Sequence, residues 1–373
     1  MGELVLANVD KIYRPSRKVP VHAVRSLSLA VKPGEITALL GSSGCGKTST
    51  LRMIAGFEDV SHGAISLDGR SIHTLAPSAR GVAMAFEAYS LYPPLTIAEN
   101  MAFALKAAKL SAAESRAKVK AMAEMLEISD ILNKYPTSVS GGQQQRASLG
   151  RALVRKANLY LLDEPMGQLE PQLRAILRGR LKHYLREHNC TTILVTHDQT
   201  EANALADRIA VMEGGVLQQY ATPAELKARP ANLFTGTFIG EPPMNVFNAG
   251  VKTSASSVSY MIDDGVTLAY PAKELSTQVH DLLSKQKRVA IGIRPHALHV
   301  GNGPIKGKVV SCQWLGDQTH VAVEVAGRTV VSVSHERISQ KTGSIIEMNV
   351  AAGDLHLFDA ASGNAIAHGG DLA

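Results

Sequence analysis

Gly41-Ser42-Ser43-Gly44-Cys45-Gly46-Lys47-Thr48 decides the fold of this chain. The stretch fits G-x-x-x-x-G-K-[ST] and follows a short apolar, β-prone run, Ile36 to Leu40. Thr48-Ser49-Thr-Leu-Arg-Met-Ile-Ala after it has helical spacing, so strand, loop and helix fall in the order a phosphate-binding loop requires. Glycines at 41, 44 and 46 let backbone amides turn inward onto phosphate oxygens, and the positive end of the following helix adds to that field. Lys47 is placed to reach the β- and γ-phosphates of a nucleotide, and the Thr48 hydroxyl to bind magnesium. Cys45 reads as a small tolerated residue within the loop.

Upstream of the loop, Glu3 to Tyr13 and Ala23 to Val31 alternate apolar and polar residues, as in an antiparallel sheet, around a loop rich in Pro, Arg and Lys. Tyr13, at the end of the first strand, fits either a half-buried strand tyrosine or an aromatic that stacks on a nucleotide base. Downstream, Gly63 to Gly69 reads as a short strand closed by an Asp-Gly turn, and Gly81 to Phe86 as an apolar strand before the aromatic, proline-bearing loop Glu87 to Thr96. Ser111 and Glu114 make a capping box for an amphipathic helix, and 98–135 is mostly helical. Ser140-Gly141-Gly142-Gln143 opens another helix, whose exposed amides form a second anion site.

Two buried parallel strands follow. Asn158 to Glu164 ends in the carboxylates Asp163 and Glu164, and Thr191 to His197 ends in a histidine. Ligands bind at strand ends of open α/β sheets, so Asp163, Glu164 and His197 are expected to converge on the phosphate loop. ATP hydrolysis needs a phosphate cradle, magnesium, a group that polarises water and a sensor of the γ-phosphate. Asp163 is the candidate metal ligand and Glu164, pointing elsewhere by strand alternation, the general base. His197 is the candidate γ-phosphate contact.

Length and composition fit this outline. The chain has 373 residues, 45% hydrophobic and 19% charged, enough for two folded domains with sizeable cores. Three scattered cysteines exclude a disulfide framework and suit a reducing compartment. The net charge of +6 is dispersed, which permits an anionic partner without demanding one. The chain opens on no signal peptide, and no apolar stretch of about 18 residues is present, so any membrane role is expected to pass through a partner. Beyond about residue 244, short β-like runs at 258–262, 288–293, 308–312, 319–325 and 328–333 predict a small barrel or sandwich.

Taken together, the phosphate loop, Ser140-Gly-Gly-Gln143, the Asp163-Glu164 pair and His197 resemble the ATP-binding subunit of an ABC transporter. Leu91-Tyr-Pro-Pro-Leu-Thr, Val195-Thr-His-Asp-Gln-Thr-Glu-Ala, Arg229-Pro-Ala-Asn-Leu-Phe and Gly292-Ile-Arg-Pro295 are similar to segments of the subfamily that energises uptake of sugars and polyols, including the maltose and glycerol-3-phosphate importers. The resemblance implies an α/β fold: a P-loop ABC-type nucleotide-binding domain over 1–240, with an antiparallel β subdomain and a helical subdomain. A small all-β, OB-like (TOBE-type) regulatory domain over 241–373 follows. It implies ATP and Mg2+ as cofactors, two membrane permease subunits as partners, an indirect solute-binding protein outside the membrane, and a place on the cytoplasmic face of the inner membrane. Nucleotide-binding domains of this kind pair head to tail, each ATP lying between one phosphate loop and the other subunit's Ser140 segment. Tyr13 then stacks on adenine, and the Glu87 loop, a further metal contact, couples the nucleotide to a groove for a permease helix.

Three positions depart from the family pattern. Glu87 stands for glutamine, Met166-Gly-Gln-Leu-Glu170 for Ser, any residue, Leu, Asp, and Val139 for leucine. A carboxylate only accepts hydrogen bonds and adds negative charge beside phosphates. These departures favour pairing with a second, related ATPase and two unequal composite sites. A soluble ATPase acting on nucleic acid or ribosomes is the competing class, prompted by the pI of about 9.1. It is opposed by the single phosphate loop and the lack of Lys/Arg runs interleaved with aromatics, so no nucleic-acid partner is expected. A mainly ATP-binding regulatory subunit is opposed by Glu164 and His197.

Overall fold

The computed structural model describes residues 2–14, 19–88, 90–262, 265–272 and 276–372. Within two of the expected loops, residues 15–18 and Tyr89 lie outside the described residues. The chain divides into two compact units, Met1–Pro223 and Ala224–Ala373.

In chain order the first unit contains strands β1 (Leu4–Tyr13), β2 (Val21–Val31) and β3 (Ile36–Gly41), helix α1 (Lys47–Ala55), and strands β4 (His62–Leu67), β5 (Arg70–Ser71) and β6 (Val82–Ala85). Helices α2 (Ile97–Phe103), α3 (Ala112–Met125) and α4 (Gly141–Leu153) come next. Strand β7 (Leu159–Asp163), α5 (Pro171–Glu187), β8 (Thr192–Val195), α6 (Gln199–Leu205), β9 (Arg208–Glu213) and β10 (Val216–Ala221) complete it. One sheet, in the order β2-β1-β4-β5, is antiparallel. The other runs β10-β9-β3-β8-β7-β6, parallel except for β10 at its edge.

The sequence dictates this arrangement. β3 sits between β9 and β8, and all six of its residues are buried, as are all five of β7. Strands covered on both faces read as unbroken apolar runs, which is how Ile36–Leu40 and Leu159–Leu162 stand in the sequence. One core joins both sheets through α1: Leu4, Leu6 and Leu27 pack with Leu39, Leu51, Ile54, Leu161 and Ile193. The phosphate-loop helix is therefore held from several sides, which fixes the loop at its N-terminus. In the helical segment, α3 starts at the Ser111/Glu114 capping box, and α2 at a second one, Thr96/Glu99. α4 starts at a third, Ser140/Gln143.

The second unit is a two-sheet β domain with short helices: α7 (Pro223–Ala228), α8 (Leu233–Phe238), α9 (Thr277–Ser284) and α10 (Gly369–Leu372). Its strands are β11 (Asn245–Thr253), β12 (Ser257–Ile262), β13 (Thr267–Pro271), β14 (Arg288–Ile293), β15 (His299–Trp314), β16 (Thr319–Val325), β17 (Arg328–Ser334), β18 (Ile345–Asn349), β19 (Leu355–Asp359) and β20 (Ala365–His368). They form antiparallel sheets ordered β13-β12-β11-β14-β19-β20 and β17-β16-β15-β18. Phe247, Tyr260, Ile291, Val309, Val323 and Leu357 share one core between them. Asn245 fastens the sheets together, its amide donating to Val331 O at 2.8 Å and accepting from Val331 N at 2.9 Å.

The unit boundary differs from the 240/241 division drawn from Gly-Glu-Pro-Pro. α7 and α8 belong with the β domain because their ends are tied to it. Leu233 N donates to Gly363 O at 2.8 Å and Ala365 N to Ala231 O at 3.0 Å, while the Arg294 guanidinium donates to Gly236 O at 2.8 Å and Lys227 O at 2.9 Å. Among the described residues no helix is long and apolar enough to cross a membrane.

Candidate functional site

β3 ends at Gly41, and the chain turns through Ser42 to Gly46 into α1. Gly46 takes φ 101°, and a Cβ there would lie 2.4 Å from Ala23 O, so only glycine fits. Lys47 folds back across the loop: Nζ donates to Gly41 O at 2.8 Å and Ser42 O at 2.9 Å. An ammonium held by neutral carbonyls can exchange them for phosphate oxygens at little cost, since the incoming bonds are charge-assisted. Cys45 is buried with its sulfur 3.7 Å from that ammonium. Thr48 and Ser49 are half-buried in the first turn, and Ser42, Ser43 and Gly44 are exposed. The hydroxyls of Tyr13 and Ser49 lie 3.1 Å apart, which sets the tyrosine beside the phosphate-loop helix. Lys11 Nζ stands 4.8 Å from the centre of the Tyr13 ring.

At the end of β7, Asp163 is 4% exposed and its Oδ1 has no hydrogen-bond partner. Burial, then the carboxylates of Glu87 and Glu164, push its pKa up to about 6, against Arg52 and Lys47, which pull it down. The fold thus gathers Asp163, Glu87, Glu164, Lys47 and Arg52 within electrostatic reach of one another. A buried, orphaned carboxylate among other carboxylates is a site for a cation.

Glu164 is not set apart by strand alternation, because the strand ends one residue earlier. Its backbone enters the left-handed region at φ 45°, with its N–H donating to Val195 O at 2.9 Å. That turn brings Oε1 to 3.0 Å from Nδ1 of His197, whose side chain is 68% exposed. Strain of this kind persists where surroundings hold it, and it clusters at functional sites.

What holds it was not read from the sequence. Gln145 of α4 is buried; its Nε2 donates to Glu164 O at 2.7 Å and its Oε1 accepts from Gln168 N at 2.9 Å. Arg174 of α5 donates to Leu169 O at 3.1 Å and Gly167 O at 3.3 Å, and pairs with Asp198 at 3.2 Å. Asp198 caps α6 by accepting from Glu201 N at 3.0 Å, and Thr196 Oγ1 donates to buried Glu201 at 2.5 Å. The Asp198/Glu201 spacing matches a capping signal visible in the sequence, whereas nothing distinguishes Gln145 from the two glutamines before it.

Ser140 and Gln143 bond to each other across the first turn of α4. A Cβ on Gly142 would lie 3.2 Å from Gln168 O, so the helix start is pressed against the loop that follows Glu164. Glu87 is exposed at the end of β6. Beyond it a groove of about 450 Å3 is lined by Phe57, Phe86, Tyr92 and Phe103 and edged by Arg151 and Arg155. Buried Asn100 shapes its wall, donating to Tyr92 O, Leu95 O and Thr96 O at 3.0–3.1 Å and accepting from Tyr92 N at 2.7 Å.

A phosphate loop fed by the central strand of a parallel sheet, with an orphaned aspartate on a companion strand, defines a P-loop ATPase. Residues 24–167 match the ABC transporter family and 291–358 the TOBE domain. The chain is 42% identical over 298 residues to the trehalose import ATP-binding protein SugC of Mycobacterium tuberculosis, covering 79% of this chain and 72% of that protein. It is 38% identical to the sn-glycerol-3-phosphate import ATP-binding protein UgpC of Cereibacter sphaeroides, over 97% of this chain and 99% of the relative. It is also 38% identical to the trehalose/maltose import ATP-binding protein MalK of Thermococcus litoralis, over 93% and 96%. A dimeric ATP-binding cassette solved in a post-hydrolysis state with ADP and Pi superposes with a TM-score of 0.56 at 27% identity, over 59% of this chain and 98% of that one. The chain belongs to the ABC transporter family, as an ATP-binding subunit whose hydrolysis of ATP is coupled to import. A soluble ATPase acting on nucleic acid or ribosomes has no counterpart among these relatives.

Proposed function

We propose that this subunit energises uptake of a sugar, polyol or related small polar solute through two membrane permeases, working at the cytoplasmic face of the inner membrane. The observation that carries this reading is likeness over nearly the whole chain, both units included, to import ATP-binding proteins named for trehalose, maltose and sn-glycerol 3-phosphate. The exposed aromatic groove beside Glu87 supports it as the seat of a permease helix, since clustered aromatics edged by arginine are what protein interfaces bury. A solute-binding protein on the far side would deliver the solute to the permeases.

Lys47 and the amides of the 41–46 loop grip the nucleotide phosphates, and Tyr13 stacks on the base. Mg2+ fits the orphaned Asp163 Oδ1, with Thr48 and Glu87 beside it, and would neutralise phosphate charge. Among the described residues no three His, Cys, Asp or Glu side chains form a metal cage. Glu164 polarises the attacking water and His197, in contact with it, meets the γ-phosphate. Ser140, Gly141, Gly142 and Gln143 offer their helix start to the ATP of the opposite subunit, which we take to be a related but different ATPase. The reading is tested by isolating the tagged chain from detergent-extracted membranes and identifying its partners by mass spectrometry. Two permeases that support solute-stimulated ATPase activity in proteoliposomes uphold it; isolation without any membrane protein sinks it.

A further inference from the structure

The second unit contains a cavity of about 730 Å3, a volume in the range of small-molecule sites. On its floor the Arg294 guanidinium is largely desolvated. Each of its hydrogen-bond acceptors, Gly236 O, Lys227 O and Ile239 O, is a backbone carbonyl, and its Nε is buried without a partner. Burial alone draws its pKa down to about 10; no carboxylate offsets it. Carbonyl dipoles satisfy hydrogens but leave a full positive charge in a dry place, an arrangement that is costly unless an anion completes it.

A lysine and several imidazoles line the same cavity. The rings of His296 and His335 stack 5.8 Å apart at 13°, and Lys227 lies near enough that it, His335 and His320 all hold His296 below the usual imidazole range, after burial. His320, outside the lining, has its Nε2 buried and without a partner. His356, deeper in the lining, is kept neutral by burial and by Arg294. Against these stand two lining carboxylates, Glu241 and Asp354.

We propose that this cavity binds a small phosphate ester, its phosphate held by Lys227, His296 and His335 above the Arg294 charge, and its hydroxyls by Glu241 and Asp354. A bare phosphate would leave most of the volume unfilled, so an ester with a polyol body is the better fit. Binding a dianion stabilises the imidazolium forms of His296 and His335. Affinity therefore rises as pH falls through the histidine range.

The test uses the full-length chain carrying Lys47→Ala, with and without His296→Asn and His335→Asn together, so that any residual binding at the phosphate loop is common to both. Isothermal titration with glucose 6-phosphate and with inorganic phosphate is run at about pH 6.5 and about pH 8. Expected is saturable binding with a Kd below about 1 mM at the lower pH, weakened about tenfold or more by the double substitution and by the higher pH. Tighter binding of the sugar phosphate identifies an ester; tighter binding of inorganic phosphate identifies the free anion. Lys227→Gln, on a separate element, must weaken binding likewise, with melting curves confirming that each variant is folded. No saturable binding, or affinity indifferent to both the histidine and the lysine substitutions, overturns the proposal.

Discussion

His197 Nδ1 stands 3.0 Å from Glu164 Oε1, a contact between the two residues that lie just beyond the ends of neighbouring parallel strands. It depends on the left-handed turn at Glu164, which swings the carboxylate toward β8 instead of along the alternation of β7. On the proposed assignment acid and imidazole therefore share one task. Glu164→Gln is expected to retain ATP binding, slow hydrolysis by about a hundredfold or more and accumulate an ATP-bound dimer. Adding His197→Ala should cost much less than its effect alone, because residues acting as a unit are not additive. Single-turnover hydrolysis of the four proteins of that cycle measures it, and additive losses would separate the two roles.

Gln145 is expected to matter to catalysis without touching nucleotide. Gln145→Ala removes the shorter of the two bonds to Glu164 O, leaving the one from Gly167 N at 3.3 Å, and removes the side-chain acceptor of Gln168 N, at roughly 1–3 kcal/mol. The loss should fall on kcat, about tenfold, with ATP affinity changed little, since Lys47 and Tyr13 are held by other elements. A KM that rises while kcat stays constant would show that the clamp serves binding instead.

The pH dependence of stability follows from Glu201, buried against Thr196. Burial raises its pKa from 4.5 to about 7, so the proton is held more tightly in the folded state than in the unfolded chain. Such a group contributes stability that is present below about pH 4.5 and is lost as pH rises through about 7. Glu201→Gln keeps an acceptor for Thr196 and carries no charge. Its stability should match that of the parent near pH 4.5 and exceed it by roughly 1–3 kcal/mol at pH 8. Urea titration across that range checks the sign; a variant less stable than the parent at pH 8 would show that the ionised carboxylate is paid for elsewhere.

How much of this was legible depended on where the signal lives. β3, β7 and β8 are covered on both faces, and each writes a near-continuous apolar run that needs no tertiary knowledge to read. β11 does not: its inward positions begin Asn245, Phe247 and Ala249, of which only Phe247 is a large apolar side chain. Asn245 is buried because it bonds to the backbone of Val331, a partner 86 residues away. The motif residues at the site were visible because their chemistry demands those types. Gln145 and Arg174 were not, because they act chiefly on backbone groups, and any segment offers those. The same reason hid the boundary: Gly-Glu-Pro-Pro marks a turn, while the bonds from Arg294 and Ala365 decide which unit α7 and α8 join.

That boundary has a consequence for truncation. A fragment ending at residue 240 carries α7 and α8 without the β domain whose bonds fix them, whereas one ending at 223 stops where the first unit stops. The shorter fragment is expected to be the more soluble and to bind ATP as the full chain does. Gel filtration and nucleotide titration of both fragments decide it; a 1–240 fragment that is monodisperse while 1–223 aggregates would return the two helices to the first unit.

The departures at Glu87, Gly167 and Glu170 bear on how the ATPase pairs. Glu87 adds negative charge to the set already raising the pKa of Asp163, a charge that a cation can neutralise but that opposes the incoming nucleotide phosphates. Glu170 precedes α5 without capping it, and a Cβ on Gly167 would make only ordinary contact, its nearest neighbour at 3.7 Å, so neither residue is demanded by packing within the chain. On the proposed pairing their reason lies across the dimer, in the site completed by the opposite phosphate loop. In a homodimer every departure would burden both composite sites. With a related ATPase as partner they divide, one site carrying Glu87 and the other the altered 166–170 loop. Reconstituting the permease with this chain alone should therefore give transport-coupled ATPase activity well below that of the native complex. Glu87→Gln should alter the ratio of solute moved to ATP hydrolysed more than it alters ATP affinity. Full coupled activity from this chain alone would establish the homodimer and leave Glu87 as a tolerated variant.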